Sequence, residues 1–209
     1  PFGIQVSLAI EEHFYLMFAP LMYFVFNKSR LIHVVVTMLI IPVILRMIIV
    51  NYSASSEFAA NYTYGSTECR LDCIAYGCLL ALINKPLFSK KIDIVSGLIG
   101  VIFLLLSLII RDEYFRETIR FSMQGIGLFL FFYSVLYSKY FSKIRDILSN
   151  EILVLIGKLS YSIYLYHWLV IIGLRVYYGD STFDPVWQVW FWSVTIFFSG
   201  FSYYITEKP

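Results

Sequence analysis

Apolar residues fill this chain in blocks of roughly twenty, separated by short polar stretches that hold most of its charge. Residues 6–26, 31–50, 92–110, 119–137, 159–178 and 186–204 each approach the length of a membrane-crossing helix. Pro42 is placed to kink the second block, and Arg46 lies near its far end. A polar loop follows at 51–61. The next apolar run, 71–83, is too short to span alone. Extended back to residue 62 it reaches spanning length and draws Glu68, Arg70 and Asp72 into the outer membrane. The other reading of that stretch is a re-entrant loop. A charge-dense loop at 111–117 and a connection at 138–158 complete the expected order. The expected fold class is all-α: a polytopic transmembrane helix bundle of about seven spans, forming a single membrane-embedded domain over residues 1–209.

Composition removes the soluble alternative. Hydrophobic residues make up 59% of the chain and charged residues 14%, too little charge to cover a soluble domain of 209 residues. No basic, aromatic-interleaved patch points to nucleic acid, so membrane lipids are the expected surroundings. The net charge of +2 matters less than where the lysines fall. With Lys28 on the cytoplasmic side, alternation brings Lys85, Lys90, Lys91, Lys139, Lys143, Lys158 and Lys208 to that side as well. The opposite side holds only arginines, at 70, 111, 116, 120 and 175. This is the positive-inside pattern of a plasma-membrane protein, with the start of the chain outside and its end cytoplasmic. The chain opens at Pro1 without an initiator Met, which reads as a piece of a longer protein.

On this topology the unusual polar groups share one zone. Glu11 sits about 7 Å of helix rise below the outer end of the first span. Ser7, Glu11, Phe14 and Phe18 form one helical face, and Tyr15 lies one turn from Glu11. Glu12 points about 100° away from Glu11, so one inward face uses only one of the two directly. Arg70 and Asp72 lie toward the outer end of the third span. His167 is roughly 13 Å from the inner boundary of the sixth, where Ser160, Tyr164 and His167 recur at i, i+4 and i+7. Judged by depth, Glu11, Arg70, Asp72 and His167 face one outer-leaflet cavity. Structural readings stand beside this one: an Arg–Asp pair that holds helices together, and a hydrogen-bonded packing histidine next to Trp168. The other tyrosines read as packing and interface groups, and His33 as interfacial. Cys69, Cys73 and Cys78 have no histidine pair to complete a metal site and read as ordinary apolar residues.

These residues carry a resemblance. V-S-L-A-I-E-E-H-F-Y-L at 6–16 is similar to the W-S-L-x-x-E-x-x-F-Y-L signature of the acyltransferase 3 family of bacterial membrane acyltransferases, with Val6 in place of its tryptophan. T-E-C-R-L-D-C-I-A-Y-G-C-L-L-A at 67–81 resembles the family's T-x-x-R-x-D-x-x-x-x-G-x-x-x-A. G-K-L-S-Y-S-I-Y-L-Y-H-W at 157–168 resembles G-x-x-S-Y-x-x-Y-L-x-H, and T-E-K-P at 206–209 resembles the E-x-P after the last core span. The four blocks occur in the family's order. The resemblance implies transfer of an acyl group, commonly acetyl, from cytoplasmic acyl-CoA to a hydroxyl of an extracytoplasmic acceptor such as a saccharide or lipid-linked glycan of the cell envelope. Acyl-CoA, acetyl-CoA above all, enters as donor substrate; no permanently bound cofactor or metal is implied. Glu11, Arg70 and His167 would be catalytic, and Ser7, Tyr15, Asp72, Ser160 and Tyr164 substrate-binding. Arg70, fixed by Asp72, would bring positive charge to donor phosphates or to the oxyanion, and His167 would serve acid–base work or hold the acceptor. Family members have about ten core spans, so the seven here match the later ones and the fragment is expected to be inactive alone. The rival class is non-enzymatic: a transporter, channel or binding scaffold using the same polar cavity.

Overall fold

The computed structural model describes residues 3–24, 27–83, 90–179 and 184–207, and among them there is no strand. Ten α-helices follow in order: α1 (Gly3–Phe24), α2 (Lys28–Tyr52), α3 (Ser56–Gly65), α4 (Leu71–Leu82), α5 (Lys90–Ile109), α6 (Glu113–Thr118), α7 (Arg120–Tyr137), α8 (Ser142–Leu148), α9 (Glu151–Tyr178) and α10 (Pro185–Ser202). Lys85, Lys208 and Pro209 lie outside the described residues. The chain forms two compact units, one ending at Ser142 and the other starting at Lys143.

Helix ends follow local chemistry. Asn27 caps α2 by accepting from Ser29 N at 3.0 Å, and Asn150 caps α9 by accepting from Ile152 N at 3.0 Å. Asp184 caps α10, whose first residue is Pro185, a position where a missing N–H costs nothing. At its other end α9 stops on Gly179, whose φ of +69° suits a residue without Cβ.

The packing is that of a membrane protein. On α2, Ile40, Ile41, Ile44 and Ile48 are exposed; on α5, Leu98, Ile102 and Leu105 are exposed. The interior instead collects Arg46, Thr63, Asp72, Asp93, Ser96, Ser122 and Ser134. Apolar outside and polar inside suits a hydrocarbon solvent and fails in water. Ser29–Tyr52 and Glu151–Tyr178 are each long and apolar enough to cross a bilayer.

In the first unit α5 lies along α7. The two backbones meet at Gly100 and Gly127: a Cβ on Gly100 would stand 2.7 Å from the Gly127 carbonyl oxygen, and one on Gly127 would stand 2.9 Å from the Gly100 carbonyl oxygen. A short polar ladder continues the seam, with Ser96 and Ser134 hydroxyls 2.8 Å apart and Ser134 Oγ donating to the Asp93 carbonyl at 2.7 Å. In the second unit α9 and α10 pack through Val170, Trp187 and Phe191, and Trp187 stacks on Phe191 with centroids 5.4 Å apart.

Long helices stand where six of the seven spans are expected; the third differs. Residues 62–83 do not form one helix. The chain leaves α3 after Gly65, turns through extended Ser66 and a 3-10 turn at Thr67–Cys69, and restarts as α4 after Arg70. The twelve residues of α4 rise only about 18 Å. The physical cause is local: Ser66 bonds back to the Tyr62 carbonyl through both its N–H and its hydroxyl, which closes α3. The expected polar loop at 51–61 is likewise half helical, because Ser55 caps α3. The sixth helix starts at Glu151 rather than 159, so Lys158 lies exposed within α9 and not in a connection.

Candidate active site

The break between α3 and α4 is organised by Arg46, which reaches across from α2 and is fully buried. Its guanidinium meets Asp72 side by side, Nη1 donating to Oδ1 at 3.0 Å and Nη2 to Oδ2 at 2.7 Å. Nη1 also donates to the Cys69 carbonyl, and Nε donates to the Thr118 carbonyl at 2.8 Å. Ser122 Oγ accepts from Nη2 at 2.6 Å and donates to Asp72 Oδ2 at 2.5 Å. Cys69 and Thr118 are the last residues before two helix interruptions, where carbonyls lose their intrahelical partners. One guanidinium therefore serves both breaks and neutralises one carboxylate. A buried charge with all its donors engaged is structural in the first instance.

That arrangement corrects the expected pairing of Asp72 with Arg70. Asp72 is committed to Arg46. Arg70 is half-buried against aromatic rings instead, its guanidinium carbon 4.1 Å from the Phe121 centroid and 5.3 Å from that of Tyr64. Arg120, the first residue of α7, approaches the same Phe121 ring at 4.9 Å. The Nε of Arg70 and the Nε of Arg120 are both buried without an acceptor.

On α1 the packed stripe is Ile10, Phe14 and Phe18, with Phe14 stacked on Phe18 at 4.7 Å. Glu11 and Glu12 are exposed, and so is Tyr15. Ser7 falls within α1, but its side chain is outside the described residues. The neighbouring His13, unassigned from sequence, has Nδ1 2.9 Å from Thr67 Oγ1. That contact joins the E-E-H-F block of α1 to the T-E-C-R-L-D block.

In the second unit α9 carries Ser160, Tyr164 and His167. Tyr164 and His167 are brought together, with ring centroids 5.5 Å apart, and both are half-buried. Ser160 is exposed and donates to the Gly157 carbonyl of its own helix at 2.8 Å. His167 Nδ1 lies 3.2 Å from the Ile163 carbonyl, an atom that only accepts. In the neutral ring this puts the proton on Nδ1 and the lone pair on Nε2. Beside this, α9 and α10 frame an apolar cleft of about 520 Å³ between Tyr166, Leu169, Gly173, Trp190 and Phe198, and His167 is not among its lining residues.

Arg46 is the residue that sequence reasoning passed over. The signal was present, since a lone arginine inside an apolar helix requires a partner. Asp72, the acid in the next apolar block, was the one to assign.

The chain matches, over residues 7–206, the sequence model of the family described as Acyltransferase domain. It is 28% identical over 216 residues to the O-acetyltransferase OatA of Staphylococcus aureus strain NCTC 8325, covering 97% of this chain and 35% of that protein. It is 32% identical over 220 residues to a putative O-acetyltransferase of S. aureus strain COL, with the same coverage of 97% and 35%. The chain thus spans about a third of the length of these relatives. No solved structure matches it.

Proposed function

The chain belongs to this acyltransferase family, and on that premise we propose that it forms the membrane-embedded part of an enzyme moving an acyl group, acetyl foremost, from acyl-CoA to a hydroxyl of an extracytoplasmic glycan. The match across residues 7–206 carries this reading. The one-sided lysines support a cytoplasmic donor side and an outward-facing acceptor side.

The reaction exchanges one carbonyl bond for another. The acceptor oxygen attacks the thioester carbon, its proton passes to a base, and the C–S bond breaks to release CoA, which takes up a proton as its thiol. His167 is the group we assign to the acceptor proton, through Nε2, with Tyr164 beside the ring. Arg70, on the outer side by the lysine distribution, supplies positive charge to the oxyanion of the tetrahedral intermediate. Glu11 orients a catalytic partner or the acceptor, and Ser7, Tyr15 and Ser160 serve acceptor binding. Asp72 acts at one remove, through the Arg46 pair that holds the turn ending at Arg70.

The test is transfer of labelled acetyl from acetyl-CoA to a glycan acceptor by the native protein in proteoliposomes. His167→Gln is expected to lower the rate about a hundredfold or more, the scale of a lost general base. Full activity in that variant would remove His167 from the chemistry. Release of unmodified acceptor across the membrane, with no ester formed, would replace the enzyme by a transporter.

A further inference from the structure

The Phe121 ring is surrounded by cations. Arg46, Arg70 and Arg120 place their guanidinium carbons 5.5, 4.1 and 4.9 Å from its centroid. Only Arg46 has a carboxylate, Asp72, and it is saturated and sealed from solvent. Arg70 and Arg120 have no carboxylate within 4.0 Å among the described residues, and each keeps a buried Nε–H without an acceptor. Arg70 otherwise lies beside the Cys73 thiol. Both arginines are half-buried as residues, whereas Arg46 is fully buried. Two unneutralised guanidiniums on one ring repel each other, and an apolar environment strengthens that repulsion. The backbone adds to it at Arg70, which precedes α4 at a helix start without a side-chain cap.

We propose that Arg70 and Arg120, set against Phe121, form an anion site for a phosphate ester. A carboxylate offers two oxygens to one guanidinium fork, whereas a phosphate ester has enough oxygens for two forks approaching from different directions. This deepens the acyl-transfer reading by giving Arg70 a phosphate-binding task and a second cation, Arg120.

Phosphate esters reach such a site from a soluble ligand or from a lipid headgroup, and binding measurements separate the two. Native protein in detergent would be titrated with sodium pyrophosphate by calorimetry. In parallel its thermal unfolding would be followed in mixed micelles containing phosphatidylglycerol or phosphatidylcholine. Saturable pyrophosphate binding is expected, weakened about tenfold or more by Arg120→Ala and by Arg70→Ala, the scale of one lost charge-assisted hydrogen bond. Arg120→Lys should fall between. Arg116→Ala removes the same charge from an exposed position on α6 and should bind as the native protein does. If Arg120→Ala gives no cooperative melting transition, Arg120→Gln replaces it. Stabilisation by phosphatidylglycerol alone, with the same dependence on Arg70 and Arg120, assigns the site to a lipid headgroup. Response to neither probe, or an equal loss in Arg116→Ala, overturns the proposal. Neither arm measures transfer, so failure here leaves the acyltransferase reading standing, and an inactive protein that still binds pyrophosphate leaves the anion site standing.

Discussion

Arg46 and Asp72 form a two-bond ion pair with neither side chain exposed, and the arginine spends its other donors on Cys69 and Thr118 carbonyls and the Ser122 hydroxyl. Irregular backbone at membrane depth persists only where protein satisfies its polar groups. Arg46 satisfies two such breaks from a third helix, so the positions of Arg70 and Arg120 both depend on it.

Arg46→Lys is therefore expected to be nearly as damaging as Arg46→Met. Lysine keeps the charge but offers three donors from one point, without the planar fork that Asp72 meets. Removing one member of a buried pair costs about 3–5 kcal/mol, and the Arg46→Met/Asp72→Leu double variant should recover part of that loss. Thermal unfolding midpoints of detergent-purified variants decide it. A native-like midpoint for Arg46→Lys would show that charge alone holds the turn.

The α5–α7 seam makes a separate prediction. A methyl group on Gly100 meets backbone of α7 at Gly127, which has no flexible end to yield. Gly100→Ala should force the helices apart, break the Ser96–Ser134 contact and cost about 1–3 kcal/mol, as overpacking does. Gly173→Ala, with nothing within 4 Å of its new methyl, is the comparison and should melt as the native protein does. Equal midpoints for the two would mean that the seam is looser than its distances say.

The long helices were legible from length and hydropathy: α1, α2, α5, α7, α9 and α10 fall on the expected blocks, and among the described residues α2 and α9 are each long and apolar enough to cross a membrane. The third span was misread for the same reason. Hydropathy does not register a break at Ser66, where one hydroxyl bonding back to Tyr62 outweighs apolar neighbours on both sides. Pairing was the harder inference. Asp72 and Arg70 are two apart in sequence, and that proximity outweighed Arg46, which is 26 residues away and is the actual partner. The Tyr164–His167 pairing was readable because it is internal to one helix, where spacing alone fixes which side chains meet. Contacts between helices, such as His13 with Thr67, need the fold.

The last prediction concerns the adjacent acids of α1. In the proposed acyl transfer, Glu11→Gln is expected to cause a far greater loss than Glu12→Gln. Both carboxylates are exposed on this helix, so neither is a buried structural charge. Their directions differ. The packed stripe of α1 runs through Ile10, Phe14 and Phe18. At about 100° per residue, Glu11 flanks that stripe at roughly 60° from Phe14, while Glu12 points about 160° away from it. Leu16, one turn beyond Glu12 on its face, is 75% exposed. Glu11 stands nearer the side that α1 turns toward packed protein. Glutamine keeps the shape and removes both the charge and the proton-accepting ability. Loss of one interaction made in the transition state costs about 3 kcal/mol, or roughly a hundredfold in rate. The measurement is acceptor acetylation by the two variants at matched membrane expression. Equal rates, or the greater loss at Glu12, would take Glu11 out of the reaction.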